Sequence, residues 1–171
     1  EVTITGEDID DAYELSFSHP DITATPALGK DGLPVPNKYT VTIGKDCPVG
    51  VHEARVMTRL GVSSSRAFNV GRLPEASQTA ANTTLETAKK LELNSICNAV
   101  MSRQKIDYYT FEAGKDQRVI VDCAAKGIDS KLNPVVIIAD ERGMDLVVER
   151  RGGMLDFKVP ETGKYVIKVH G

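Results

Sequence analysis

The sequence predicts an all-β protein: two consecutive β-sandwich modules, immunoglobulin-like and then jelly-roll-like, joined by a linker. Three observations carry this. Short runs of apolar and polar residues alternate with period 2 along most of the 171 residues. Segments rich in Gly, Pro and Asp, the residues that set up tight turns, separate the runs. The alternation lapses once, over residues 72–91, and then resumes, as expected of two cores with a connection between them.

Within residues 1–71, Val2 and Ile4, Leu15 and Phe17, Tyr39, Val41 and Ile43, Ala54 and Val56, and Phe68 and Val70 each line one face of a strand. Turns fall at Ser18-His19-Pro20-Asp21, Gly29-Lys30-Asp31-Gly32, Pro34 to Pro36, Cys47-Pro48-Val49-Gly50 and Gly61. Several short strands at such spacing read as a sandwich. Residues 72–91 are rich in Ala, Thr, Glu and Asn without period-2 order, and read as mostly irregular linker. Strand signal returns over residues 92–171. In DYYTF, Tyr109 and Phe111 share one face, and Tyr108 and Thr110 the other. In LDFKV, Leu155, Phe157 and Val159 point one way. PVVIIAD is apolar on both faces and belongs in the middle of a sheet or under a covering segment. KYVIKVH places Tyr165, Ile167 and Val169 inward, and as the last strand it is expected to leave an open edge that invites dimerisation.

Composition narrows the function. Lys+Arg 21 against Asp+Glu 24 gives a formal net charge of -3, so there is no basic surplus to draw phosphates, and nucleic acid is not an expected partner. Five Tyr, four Phe and no Trp leave few rings for stacking on sugars or bases. No run approaches the roughly 18 apolar residues of a membrane span. The opening EVTITGEDIDD lacks the basic and apolar regions of a signal peptide and begins in strand-like alternation, as in a segment of a longer protein.

No catalytic constellation is visible, and the chain is expected not to be an enzyme. His19, His52 and His170 have no ligand-like spacing, and Ser63-Ser64-Ser65 lacks the Gly-x-Ser-x-Gly elbow of a nucleophile. Asp8 and Asp10 begin like a calcium loop but lack its later Gly and Glu. Asp107, Asp129 and Asp140 are the better metal candidates if strand ends converge, although Asp129 and Asp140 suit side-chain-capped turns equally well. Calcium is the one ion to consider, and no other cofactor is signalled. Cys97 and Cys123 read as small inward apolar residues that could pair only as neighbours in an oxidising compartment, leaving Cys47 single.

The second half resembles the bacterial pre-peptidase C-terminal domain through a series of motifs in that family's order. These are an Asn-bearing linker from Asn82 to Ala88, an Asp-x-aromatic-x-Phe strand (Asp107, Tyr109, Phe111), a Gly-x-x-Gln turn (Gly114, Gln117), a hairpin at Asp140 and Gly143, and Thr-Gly-x-Tyr (Thr162, Gly163, Tyr165). The first half, through PVGVHEARVMTRLGVSSSRAFNVG, is similar to the small immunoglobulin-like modules that precede such domains. The family often carries an acidic residue where this chain has Lys105, and its sandwich normally continues with a strand beyond the last one here. Some relatives bind calcium near the linker, which takes about six to eight oxygen ligands. The resemblance implies a secreted, periplasmic or surface-exposed protein whose module plays an accessory part beside other domains of its chain: adhesion, substrate targeting or support of secretion. The alternatives are a calcium-assisted carbohydrate- or matrix-protein-binding domain, or the non-catalytic part of a secreted peptidase or other enzyme. The family pattern assigns Tyr109 and Phe111 to the core, so Tyr108 is the expected outward contact for a protein or polysaccharide ligand.

Overall fold

The computed structural model describes residues 1–102 and 104–171, and the protein is all-β. The chain divides into two compact units, Glu1–Arg72 with Gly127–Asp129, and Leu73–Lys126 with Ser130–Gly171.

The first unit contains β1 (Val2–Thr3), β2 (Glu14–Phe17), β3 (Ile22–Leu28), β4 (Pro34–Ile43), β5 (Gly50–Thr58), β6 (Gly61–Val62) and β7 (Arg66–Val70). One sheet runs β1-β4-β3; in the other, β5 pairs with β2, β6 and β7. Leu15, Tyr39 and Val56 are buried together with Val2, Ile4, Phe17, Val41 and Ala54 packed against them, the alternating set read from the sequence. Ile43 departs from that set: at the end of β4 it is exposed. A second cluster joins Ile22, Cys47 and Val70, so Cys47 serves as a small apolar core residue.

The second unit contains β8 (Glu75–Ser77), β9 (Lys89–Lys90), β10 (Ile96–Asn98), β11 (Asp107–Ala113), β12 (Arg118–Asp122), β13 (Val135–Ala139), β14 (Asp145–Glu149), β15 (Met154–Lys158) and β16 (Gly163–His170). A five-stranded sheet runs β14-β13-β16-β11-β9, β12 pairs with β15, and β8 pairs in parallel with β10. Tyr109, Phe111, Val119, Val136, Ile138, Leu155, Phe157, Val159, Tyr165, Ile167 and Val169 form one core drawn from β11, β12, β13, β15 and β16 with the adjoining Val159. Within it Phe111 stacks on Tyr165 at 5.7 Å between ring centroids, and Phe157 meets Tyr165 edge-on at 5.3 Å.

Two expectations change here. The last strand is not an open edge: β16 lies in the interior of the sheet, paired antiparallel with β11 on one side and β13 on the other. Its apolar run Tyr165 to Ile167 is buried on both faces for that reason. The segment 72–91 is not a free connection either. From Leu73 onward it belongs to the second unit and supplies β8 and β9. Between those strands Leu85 reaches Gly143 in the β13–β14 turn, where any Cβ would meet Leu85 Cδ1 at 3.0 Å. On the sheet face opposite the core, Thr110, Ala139 and Val166 are also buried.

Candidate functional site

Asn82 is the most informative residue of the excursion. Its side chain is 1% exposed, and its main-chain and side-chain groups hold Tyr108 in β11 from both directions. The Tyr108 N–H donates to the Asn82 carbonyl at 2.7 Å, and Asn82 Nδ2 donates to the Tyr108 carbonyl at 2.8 Å. A side-chain amide thus replaces a strand residue at the edge of β11. The network continues: Gln78 Nε2 donates to Asn82 Oδ1, and the Tyr109 hydroxyl donates to Gln78 Oε1 at 2.7 Å. Burial pushes the Tyr109 phenol up to about 12, so it remains a neutral donor across the physiological range. The sequon at Asn82-Thr83-Thr84 is closed to glycosylation in the folded state, because its amide is buried and bonded.

Tyr108 is half-buried, opposite Lys168 of β16. Its hydrogen bonds to Asn82 come from its backbone, so the pairing does not depend on the phenol ring.

The three aspartates stand apart. Asp107 is fully buried at the start of β11; Oδ2 accepts the Ser102 N–H at 3.0 Å, and Oδ1 has no hydrogen-bond partner among the described residues. Asp140 caps its own turn, with Oδ1 accepting from the Arg142 and Met144 N–H groups at 3.0 and 2.8 Å. Asp107 and Val136 both face Val169, whereas Asp140 follows Ala139, so the two carboxylates lie roughly 13 Å apart along the strand direction. Asp129 belongs to the first unit, where Oδ2 accepts the Ala67 N–H at 2.6 Å. Among the described residues no three His, Cys, Asp or Glu side chains are placed to hold a metal ion.

A cluster that residue spacing had hidden forms in the first unit. His19 and His52 meet edge to face at 5.6 Å, and Cys47 Sγ lies 3.9 Å from His52 Nε2. Sequence reading separated these residues because a turn, a loop and a strand carry them. His52 Nε2 also lies 2.8 Å from the Pro48 carbonyl, which can only accept, so this nitrogen carries the proton and is no base toward Cys47. Cys47 is itself 4% exposed. Ser63 is likewise engaged: its hydroxyl donates to the Ser64 carbonyl and accepts the Val56 N–H, both at 2.9 Å. Cys97 and Cys123 are free thiols packed against the larger core, and burial pushes both up from the usual thiol range.

An open cleft of about 490 Å³ in the second unit is lined by Ser77, Gln78, Thr79, Asn98, Ala99 and Val100. It offers hydroxyl, amide and main-chain groups and, among the described residues, no charged side chain. No helix among the described residues is long and apolar enough to cross a membrane.

No protein-family model matches this chain, and no curated protein sequence is significantly similar to it.

Proposed function

We propose that the chain is a non-catalytic binding module of an exported bacterial multidomain protein, similar in its second half to a pre-peptidase C-terminal domain and in its first to an immunoglobulin-like module. The supporting observation is the use made of the motif residues. Asn82 holds Tyr108, Gln117 Oε1 accepts the Gly114 N–H, Thr162 Oγ1 accepts the Lys115 N–H, Asp140 caps its turn, and the Tyr165 hydroxyl donates to the Glu161 carbonyl. Each builds a turn or closes an edge. The motif series therefore encodes architecture, and function on this reading belongs to the surface rather than to a buried reacting group.

Screening the full chain against an array of matrix proteins and glycans, with calcium and with chelator, tests the reading. Saturable capture of a matrix protein that survives chelation supports it. Capture that disappears with chelator would favour a calcium-assisted site, and turnover of a peptide, ester or glycoside substrate would overturn it.

A second reading rests on the cleft beside β8 and β10. Its uncharged hydroxyl and amide lining suits a small polar ligand such as a saccharide better than an ion.

A further inference from the structure

The five-stranded sheet treats its two edges differently. On the β11 side, Asn82 closes one stretch, and β9 is only two residues long and made of Lys89 and Lys90. Shortness and lysine are the usual means of blunting an edge. On the other side, β14 pairs with β13 alone among the described residues. Its sequence is Asp-Leu-Val-Val-Glu, with neither Lys nor Pro within it. Leu146, Val147 and Val148 are 44%, 36% and 38% exposed, and neighbouring Met144 is 69% exposed. Three consecutive exposed apolar residues on an unpaired edge offer main-chain groups and apolar area together.

The acids at either end decide what can fill that edge. A second copy running antiparallel with its apolar residues matched sets Asp145 against Glu149 twice, and like charges directly opposite destabilise a ladder. Sliding the copies until Asp145 faces Arg151 puts Val147 against Glu149 and Leu146 against Arg150, which forfeits the apolar match. A parallel copy aligns acid with acid. Asp145 Oδ1 is engaged by Lys168 Nζ, and Glu149 Oε1 by the Arg151 N–H, so the other oxygen of each has no partner among the described residues.

We propose that β14 is a docking edge for an extended segment of a partner protein, an apolar stretch of about three residues closed at each end by Lys or Arg, added to the sheet as a further strand. The basic ends meet Asp145 and Glu149, and the apolar centre covers Leu146, Val147 and Val148. This deepens the binding role proposed above and rests on it.

The test titrates three blocked nonapeptides into the ¹⁵N-labelled full chain. In one, Lys closes each end of a central Val-Thr-Val, spaced to meet Asp145 and Glu149, and Ser and Gly fill the outer positions; the second replaces the lysines with Glu, and the third is the first with alternate backbone nitrogens methylated. The lysine-ended peptide should saturate, with amide shifts concentrated on residues 144–149. The glutamate-ended peptide should bind about tenfold more weakly, as expected when two cross-strand charge pairs change sign. The methylated peptide should not bind, because it keeps the side chains and loses the ladder. Glu149→Lys should narrow or reverse the charge preference, with at most a small fall in the thermal midpoint from the lost bond to the Arg151 N–H. Absence of saturation at millimolar lysine-ended peptide, equal affinity for both charge types, or shifts mapping elsewhere would overturn the proposal. So would a concentration-dependent dimer whose shifts map to β14. A chain that captures a matrix protein on the array yet ignores these peptides overturns the edge assignment alone; one that captures nothing on the array and also ignores the peptides overturns both readings.

Discussion

Asn82 and Tyr108 are joined by two hydrogen bonds, 2.7 Å from the Tyr108 N–H to the Asn82 carbonyl and 2.8 Å from Asn82 Nδ2 to the Tyr108 carbonyl. The pair fastens a segment of weak intrinsic structure to the edge of the main sheet. Its surroundings are buried, so each group left unpartnered there costs about 1–3 kcal/mol.

Asn82→Ala removes the amide and strands the Tyr108 carbonyl and Gln78 Nε2. The second unit should lose about 2–4 kcal/mol in urea denaturation. Thr83→Ala next to it should change little. Comparable losses for both would mean that the segment is held by general packing and not by the amide.

Tyr108→Ala leaves both backbone hydrogen bonds in place, so it should destabilise by much less than Asn82→Ala, about 1 kcal/mol for a half-buried ring. If Tyr108 also contacts a partner, affinity for that partner falls as well, while the thermal midpoint moves by only the few degrees that this loss implies. A loss as large as that of Asn82→Ala would assign the ring to the fold.

Gly143 has φ of 86°, and a Cβ there would lie 3.0 Å from Leu85 Cδ1, so that Leu85 would have to give way. Both factors penalise any side chain. Gly143→Ala should lower stability by about 1–3 kcal/mol, whereas Gly127→Ala, which meets nothing within 4 Å, should be close to neutral. Adding Leu85→Ala to Gly143→Ala should recover only the part due to the contact.

The raised Tyr109 phenol gives a signed pH dependence. Its pKa is about 12 folded, chiefly through burial, against an ordinary value of 10.0, so between those values the unfolded chain has lost a proton that the folded chain keeps. Stability from this group is therefore complete below pH 10 and falls as pH rises toward 12, by about 1–2 kcal/mol after allowance for solvent access. Tyr109→Phe should be less stable near neutrality through the lost bond to Gln78, and the difference from the parent should shrink between pH 9 and pH 11. A constant difference across that range would contradict this assignment.

Hydrogen exchange should separate the strands. Amides of β16, paired on both sides, should be among the slowest in the second unit, while β14 should exchange faster at its outward-facing amides. Equal protection in both would contradict the sheet order.

Alternation along the chain determined the all-β class and most of the side-chain directions, because strand parity is a local property that each residue shows through its neighbours two positions away. Tyr109 and Phe111 face the core as DYYTF implies, Leu155 and Phe157 as LDFKV implies, and the buried β13 follows from apolar residues on both faces of PVVIIAD. Which strands become neighbours is not local. The last strand entered the middle of the sheet because β11 and β13 close on it from distant parts of the chain. Asn82 closes part of the β11 edge only because its segment returns there, and that long-range pairing is not written in the Ala- and Thr-rich run around it. Separation in sequence likewise kept Asp107, Asp129 and Asp140 open as partners until the tertiary structure placed them in three different surroundings, and it concealed the meeting of His19, His52 and Cys47. The sequence alone set the faces, and long-range pairing set the edges, because strand parity is local whereas a strand's neighbours come from distant parts of the chain.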